Sequence, residues 1–481
     1  MKSFLTIKQL KEKLEKKEVT ISQVTDYYSN RIEKYNNKLN AVIETFDKET
    51  ITHENNSSGL LNGIPGLLKD NICQENRITS CGSKILQNFK SAYDATVTKR
   101  IKQEGGIILG RTNMDEFAMG GTGEYSAYGD TCNPWNLNHV PGGSSSGSAA
   151  AVAAGLAPWA LGSETGGSVR QPAAFCSLVG LYPTYGTHSR YGIVAFTSST
   201  DQVGTLTKTV YDNALLASSL SGHDPKDSTS LFKETIDYTK NLTGKLPKNL
   251  TLGVLQDSIE SEGVDEQIKD KFLEAVKQLE KLGAKIKYIS LPDLKYGISV
   301  YFIISRAEAA SNLARFDGSL YGMRAMDEKT LKDMYIQTRH DGFGIEVKRR
   351  ILMGNYVLSS SHKGAFYDKA DHVRAMIRAE FDQAFSEVDL LISPTTPTLP
   401  FKIGQTDQDP LAMYMADYFT VPNCITGKPA LSVPCGFSKE NLPIGFQFMG
   451  PRLSEELIYQ VAYAYEQSTD HHTKNPAGFG E

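Results

Sequence analysis

Two glycine–serine segments and one lysine hold the residue types from which this chain could build a nucleophile. The stretch PGGSSSGS, residues 141–148, matches G-x-S-x-G through Gly143, Ser145 and Gly147, the spacing of a serine-hydrolase nucleophile elbow. An elbow needs a strand directly before it. The preceding NPWNLNHVPGG carries Pro134, Pro141 and several asparagines, which is loop chemistry. The next residues, SGSAAAVAAGLA, read as a helix of small side chains, so the segment predicts a loop feeding a helix N-terminus. The second segment, LGSETGGSVRQPAA at 161–174, sets Ser168 behind Gly166 and Gly167. Without Cβ atoms, backbone N–H groups there can converge on one point. Such donors stabilise a developing oxyanion by about 3 kcal/mol each. A glycine-rich turn with a capping serine is the competing reading. A phosphate loop is excluded, because the lysine before the Ser/Thr is missing.

A nucleophilic serine needs a base. The chain has 9 histidines, of which His139 and His188 lie near these segments, but neither sits in a triad pattern. GIPGLLKDNI, residues 63–72, places Lys69 at the end of a short apolar run. Burial at such a strand end disfavours the charged ammonium and leaves an amine able to take a proton. A surface lysine beside Asp70 is the alternative.

These residues need a scaffold, and 481 residues suffice for a large core. The composition, 40% apolar and 22% charged, is that of an ordinary globular chain. A net charge of −4 argues against a broad basic face for nucleic acid, without excluding an RNA-binding partner. The 6 cysteines form no C-x-x-C pair and no Cys/His cluster with zinc spacing, so no metal site is expected. Scattered thiols suit a reducing compartment. The first residues lack an apolar signal core and carry Glu12, Glu15 and Glu18, unlike a transit peptide. The longest apolar run, 149–161, is too short to span a bilayer. A soluble cytoplasmic protein is expected.

The first 40 residues are predicted helical, with Ile21, Val24, Tyr28 and Ile32 at helical spacing. Residues 60–205 are rich in Gly, Ser and Ala, so their backbones must pack closely. Beyond them helix and strand alternate: Ile268, Phe272, Ala275, Val276, Leu279 and Leu282 share one helix face, Gly283 stops that helix, and AKIKYISL comes next as a strand. LTLGVLQD reads as a strand, and DLLISPTTP as a buried strand ending at a site edge. This alternation argues for an α/β layer fold, and no linker divides residues 1–481.

Taken together, GIPGLLKDN, PGGSSSGSAAAVAAGLAPWALGSETGGSVRQPAAFCSLVGLYPTYG and SRYGIVAFTSSTDQVGTLT resemble the amidase signature family in order and spacing. The likeness implies one large domain, with a catalytic core at about 60–215 and a central mixed sheet covered by helices on both faces. It implies a Ser–cis-Ser–Lys set without histidine: Ser168 as nucleophile, Ser144 as bridge, reached through a cis Gly143–Ser144 peptide, and Lys69 as base. The oxyanion would be held at Thr165, Gly166 and Gly167. TNMDEFAMGGTGEYSAYG, AEAASNLARFDGSLYG, GFGIEVKRRILMG, LISPTTPTLPFKIG, GKPALSVPCGF and LPIGFQFMGP extend the likeness to one branch of the family, the glutaminase subunits of tRNA-dependent amidotransferases.

That branch implies glutamine as substrate and ammonia passed on to convert Glu-tRNA(Gln) into Gln-tRNA(Gln). It implies partner subunits B and C in a heterotrimer. tRNA would be met mainly through the B-type partner, where ATP and Mg²⁺ would also bind, with no cofactor in this chain. Substrate contacts would fall on Tyr301, Arg350 and Asp417; Arg349 competes with Arg350, and Asp417 could be a helix-surface residue. A stand-alone amidase for small amides is the alternative. Some positions depart from the usual pattern: Ser146 for a glycine, Ser163–Glu164 for Thr–Asp, Tyr182 for a lysine, Thr187–His188 for Arg–Val, and Arg306 in a stretch of small residues.

Overall fold

The computed structural model describes residues 3–47, 59–326, 328–359, 361–407 and 409–480. Two helices open the chain, Ile7–Glu15 and Ile21–Leu39. Each starts at a threonine whose hydroxyl accepts from the third helical residue, while that residue's glutamine side chain reaches back to the threonine N–H. This capping box satisfies otherwise orphaned amide donors. The buried face of the second helix includes Val24, Tyr28 and Ile32, as the periodicity predicts, while Ile21 is only half-buried.

The strands are β1 (Val42–Thr45), β2 (Pro65–Lys69), β3 (Ile107–Thr112), β4 (Trp159–Glu164), β5 (Val179–Tyr182), β6 (Gln202–Thr207), β7 (Thr251–Leu255), β8 (Lys285–Ile289), β9 (Leu390–Pro394), β10 (Ala430–Phe437) and β11 (Pro443–Met449). They form one 11-stranded sheet in the order β1-β3-β2-β4-β6-β5-β10-β11-β9-β7-β8. The sheet is mixed: β3, β2 and β4 run parallel, as do β9, β7 and β8, and antiparallel pairs join these two groups. The expected α/β architecture is therefore a single continuous sheet. Strand β8, read from AKIKYISL, is its mostly exposed edge.

The helix before β8 spans Glu266–Lys281, capped by Asp265, and buries Ile268, Phe272, Ala275, Val276 and Leu279. Leu282 lies just past its last turn and is half-buried. Of the cysteines, five are buried and Cys132 is half-buried; none is paired.

The stretch after the triple serine is helical over Ser146–Ala153 and wholly buried, which only side chains as small as Ser, Gly and Ala permit at such close packing. Its C-terminal end is held by Arg31, whose guanidinium donates to the carbonyls of Gly155 at 2.7 Å and Ala154 at 2.9 Å. A cation there complements the helix dipole and occupies carbonyls that the helix itself leaves free. The N-terminal end of that helix is thereby fixed beneath the candidate site.

Candidate active site

Lys69 is the last residue of β2 and is fully buried. Its Nζ lies 2.8 Å from Ser144 Oγ, 2.9 Å from Ser145 Oγ and 3.1 Å from the Ser163 carbonyl oxygen. Burial drives its pKa down to about 7, against the opposing pull of Asp115, Asp201 and Glu164. The competing reading, a surface lysine, is excluded. Asp70 points elsewhere, into an ion pair with Arg111 at 2.7 Å.

The Gly143–Ser144 peptide is cis. Asp115 packs directly on Gly143: a Cβ there would collide with Asp115 Oδ2, so only glycine fits. Asp115 in turn accepts from the Gly123 and Tyr125 amides, and its own N–H donates to the Ser144 carbonyl at 3.3 Å. Burial raises its carboxyl pKa to about 6, an effect the two amide donors partly offset. Gly143 N–H donates to Gln171 Oε1 at 3.0 Å, which ties the serine loop to the helix Arg170–Phe175.

Ser168 lies between β4 and that helix and is 5% exposed. The Ser145 N–H donates to its carbonyl at 3.2 Å. Among the described residues Ser168 Oγ makes no hydrogen bond, to Ser144 or to any other group. The structure thus brings Lys69 and Ser144 into contact, and ties Ser168 to the serine loop through the Ser145 amide, without a hydrogen bond between the Ser144 and Ser168 hydroxyls among the described residues. Likewise, among the described residues the amide N–H groups of Thr165, Gly166, Gly167 and Ser168 donate to no protein acceptor, whereas those of Val169 and Arg170 are taken by Glu164 Oε2 at 3.0 and 2.9 Å. Four free donors in a row are suited to an anion. The loop is braced by Thr165, whose hydroxyl donates to Asp201 at 2.7 Å, and by the buried Glu164–Arg170 ion pair.

The outer wall comes from distant segments. A Cβ on Gly166 would lie 2.7 Å from the Tyr301 ring, and one on Gly167 would collide with Asp417 Oδ1, so these glycines let both side chains reach the loop. Asp417 is buried rather than on a helix surface, and burial, aided by Glu164, raises its pKa to about 7. Arg350 and Arg349 separate cleanly: their side chains are 2% and 41% exposed. Glu346 engages Arg350 Nε at 2.7 Å and also accepts from the Tyr414 hydroxyl at 2.7 Å. Among the described residues the Arg350 terminal amino groups have no acceptor, which leaves them for a ligand.

The sequence points to Ser145 only through the elbow pattern; the structure makes it a second partner of Lys69. Three further residues were not singled out from sequence. Asp115, Asp201 and Glu346 are buried carboxylates whose neighbours only the tertiary contacts reveal, although TNMDEFAMGGTGEYSAYG, SRYGIVAFTSSTDQVGTLT and GFGIEVKRRILMG contain them. His188 is engaged with the Val203 carbonyl at 2.8 Å, and neither it nor His139 bonds to Ser144 or Ser168 among the described residues. The expected site edge at the end of β9 is linked to the site through Gln447, which donates to Ser393 Oγ and accepts from Arg170.

A buried lysine whose pKa is lowered to about 7, set against serine hydroxyls to which, among the described residues, no histidine bonds, is the arrangement of a lysine-assisted serine hydrolase rather than of a histidine triad. The matching family model, Amidase, covers residues 23–459, and the chain belongs to that family. It is 53% identical to the glutamyl-tRNA(Gln) amidotransferase A subunit of Halothermothrix orenii, over 98% of each chain. The crystal structure of the Thermotoga maritima glutamyl-tRNA(Gln) amidotransferase A subunit superposes with a TM-score of 0.82 at 39% identity, covering 96% of this chain and 94% of that one. The peptide amidase from Stenotrophomonas maltophilia gives 0.81 at 29% identity, covering 98% of both chains. Among the described residues no helix is long and apolar enough to cross a membrane.

Proposed function

We propose that this chain is the glutaminase subunit of a glutamyl-tRNA(Gln) amidotransferase, hydrolysing glutamine to supply ammonia for converting Glu-tRNA(Gln) into Gln-tRNA(Gln). The observation that carries the chemistry is the buried Lys69 amine 2.8 Å from Ser144 Oγ. The 53% identity over 98% of both chains favours this substrate over the small amides of a stand-alone amidase. Subunits B and C complete the complex; tRNA, ATP and Mg²⁺ belong to the B-type partner, and this chain carries no cofactor. The work is done in the cytoplasm.

Valence counting supports the roles. A neutral amine has two N–H donors and one lone pair. The Ser163 carbonyl can only accept. Ser145 spends its proton on that carbonyl at 3.2 Å and accepts from the Ser163 N–H at 3.3 Å, so toward Lys69 it also accepts. Both N–H donors are then used, and the lone pair faces Ser144. Ser144 is therefore the hydroxyl that gives Lys69 its proton, and Ser145 positions the amine.

Ser144, once deprotonated, takes the proton of Ser168, and Ser168 Oγ attacks the side-chain amide carbon of glutamine. The N–H groups at Thr165, Gly166 and Gly167 receive the oxyanion. The proton returns through Ser144 to the leaving ammonia, and water hydrolyses the acyl-enzyme by the same path. Arg350 forks onto the α-carboxylate, Asp417 pairs the α-ammonium, and Tyr301 walls the pocket. The test is glutaminase activity of the chain with and without B- and C-type subunits and misacylated tRNA. Partner-stimulated glutaminase is expected; efficient hydrolysis of simple aliphatic amides without glutaminase would sink the reading.

A further inference from the structure

Arg306 is a buried charge that the reaction above does not use. It lies on the helix Gly297–Asn312 and is 1% exposed. Its Nη1 donates to Ser305 Oγ at 2.9 Å, but among the described residues Nε and Nη2 have no hydrogen-bond partner and no carboxylate forms an ion pair with it. A guanidinium in that condition loses its hydration without a protein counter-charge, which costs several kcal/mol in order of magnitude. What holds it are aromatic faces: Phe302 at 3.5 Å, Tyr414 at 5.0 Å and Tyr301 at 5.8 Å from ring centroids. Tyr414 is shared, since the Arg350 guanidinium lies 5.5 Å from the same ring.

The charge balance of this pocket is uneven. Arg306 and Arg350 are both buried, while the nearest buried carboxylate, Glu346, is already divided among Arg349, Arg350 and Tyr414. Burial and then the Arg350 charge push the Arg306 pKa down to about 9, which still leaves it cationic at neutral pH. Asp417, the other buried carboxylate of this wall, faces Gly167 on the loop and forms no ion pair with Arg306 among the described residues, so the Arg306 guanidinium has no carboxylate of its own, one ring behind the loop of Gly166 on which Tyr301 packs. Low local polarity carries such a charge further than water would.

We propose that Arg306 is a specificity-determining positioning residue, whose uncompensated charge behind Tyr301 and Tyr414 makes the site select a substrate that brings its own carboxylate. The substrate supplies the missing counter-charge, with Arg350 as the contacting fork and Arg306 acting through the shared rings. An amide of the same shape lacking the α-carboxylate leaves two buried cations facing one another. The proposal rests on the glutaminase reading, and its test separates the two.

The full chain, co-expressed with B- and C-type subunits, is assayed on glutamine and on glutaminamide, which differ in the α-carboxylate. If the wild-type complex hydrolyses neither, the glutaminase reading fails. Given glutaminase activity, Arg306→Met is expected to raise KM for glutamine about tenfold, with kcat within about threefold, and to leave KM for glutaminamide within about twofold. Arg306→Lys keeps the charge and is expected to keep most of the discrimination. Should the methionine variant not fold, Arg306→Gln, which retains polarity without charge, is expected to lose discrimination equally. Parallel changes for both substrates, no change for either, or a lysine variant as indiscriminate as the neutral one overturns the proposal.

Discussion

The floor of the site and its outer wall are built on opposite principles. The floor, made by the end of β2, the loops at 141–148 and 165–168 and the helix Ser146–Ala153, is small-residue backbone packed until nothing else fits. Among the described residues its polar groups are satisfied almost one by one, and what is left free is the set of amide donors at 165–168 and the Ser168 hydroxyl. The wall, made by the helices Gly297–Asn312 and Ile345–Leu358 and the segment at 414–420, buries large charged and aromatic side chains and leaves some guanidinium donors without partners. Close packing suits chemistry, because desolvation tunes a lysine and fixes atoms to within tenths of an ångström. Surplus charge suits recognition, because the ligand completes it.

Removing the nucleophile or the base tests the floor most severely. Ser168→Ala and Lys69→Ala are each expected to lower kcat/KM for glutamine by about 10³-fold or more, with Ser168→Ala also abolishing the acyl-enzyme seen by mass spectrometry of trapped intermediates. Activity within tenfold of wild type would break the comparison at its root. The two neighbouring serines then divide the floor. Ser144→Ala is expected to cost about 10²-fold in kcat, while Ser145→Ala costs about tenfold because it only positions the amine. Equal losses would contradict the valence argument.

The wall is tested by the adjacent arginines. Arg350→Met is expected to raise KM for glutamine by about 30-fold with a smaller effect on kcat, and the exposed Arg349→Met to stay within about twofold. The smallest effect sharpens the contrast in a single protein. Lys69, with its pKa lowered to about 7, is active as the neutral amine, so kcat rises as pH increases through 7. Asp417, raised to about 7, pairs an ammonium only when ionised, so KM falls over the same window. Both change by about tenfold per pH unit below 7. Asp417→Asn should remove the KM limb and leave the kcat limb, which rate profiles at several substrate concentrations would show.

Much of the floor was legible in the sequence because its constraints are local. Gly166 and Gly167 directly before Ser168, the apolar run before Lys69, and the small-residue helix after PGGSSSGS each state a packing requirement within ten or so residues. The helix at 266–281 and the strand after it were legible for the same reason, a period and a stop signal. The G-x-S-x-G match at Ser145 shows the limit of pattern alone: Ser144 and Ser145 both lie within hydrogen-bond reach of the Lys69 amine, in a loop with no strand before it.

The wall was less legible because its side chains are defined by what they face. Arg349 and Arg350 are chemically alike and adjacent, and only the packing of their helix decides that one is buried beside Glu346 and the other is exposed. Nor could sequence order alone reveal that Asp115 abuts Gly143, that Asp417 abuts Gly167, or that Arg306 lacks a counter-charge. The sequence by itself determined the α/β alternation, the small-residue core and the residue types able to do the chemistry, since these are written in periods and neighbours. The tertiary structure alone decided which serines meet the amine, how far burial lowers its pKa, and which charges go unpaired, because desolvation and pairing depend on atoms brought together from segments far apart in the chain.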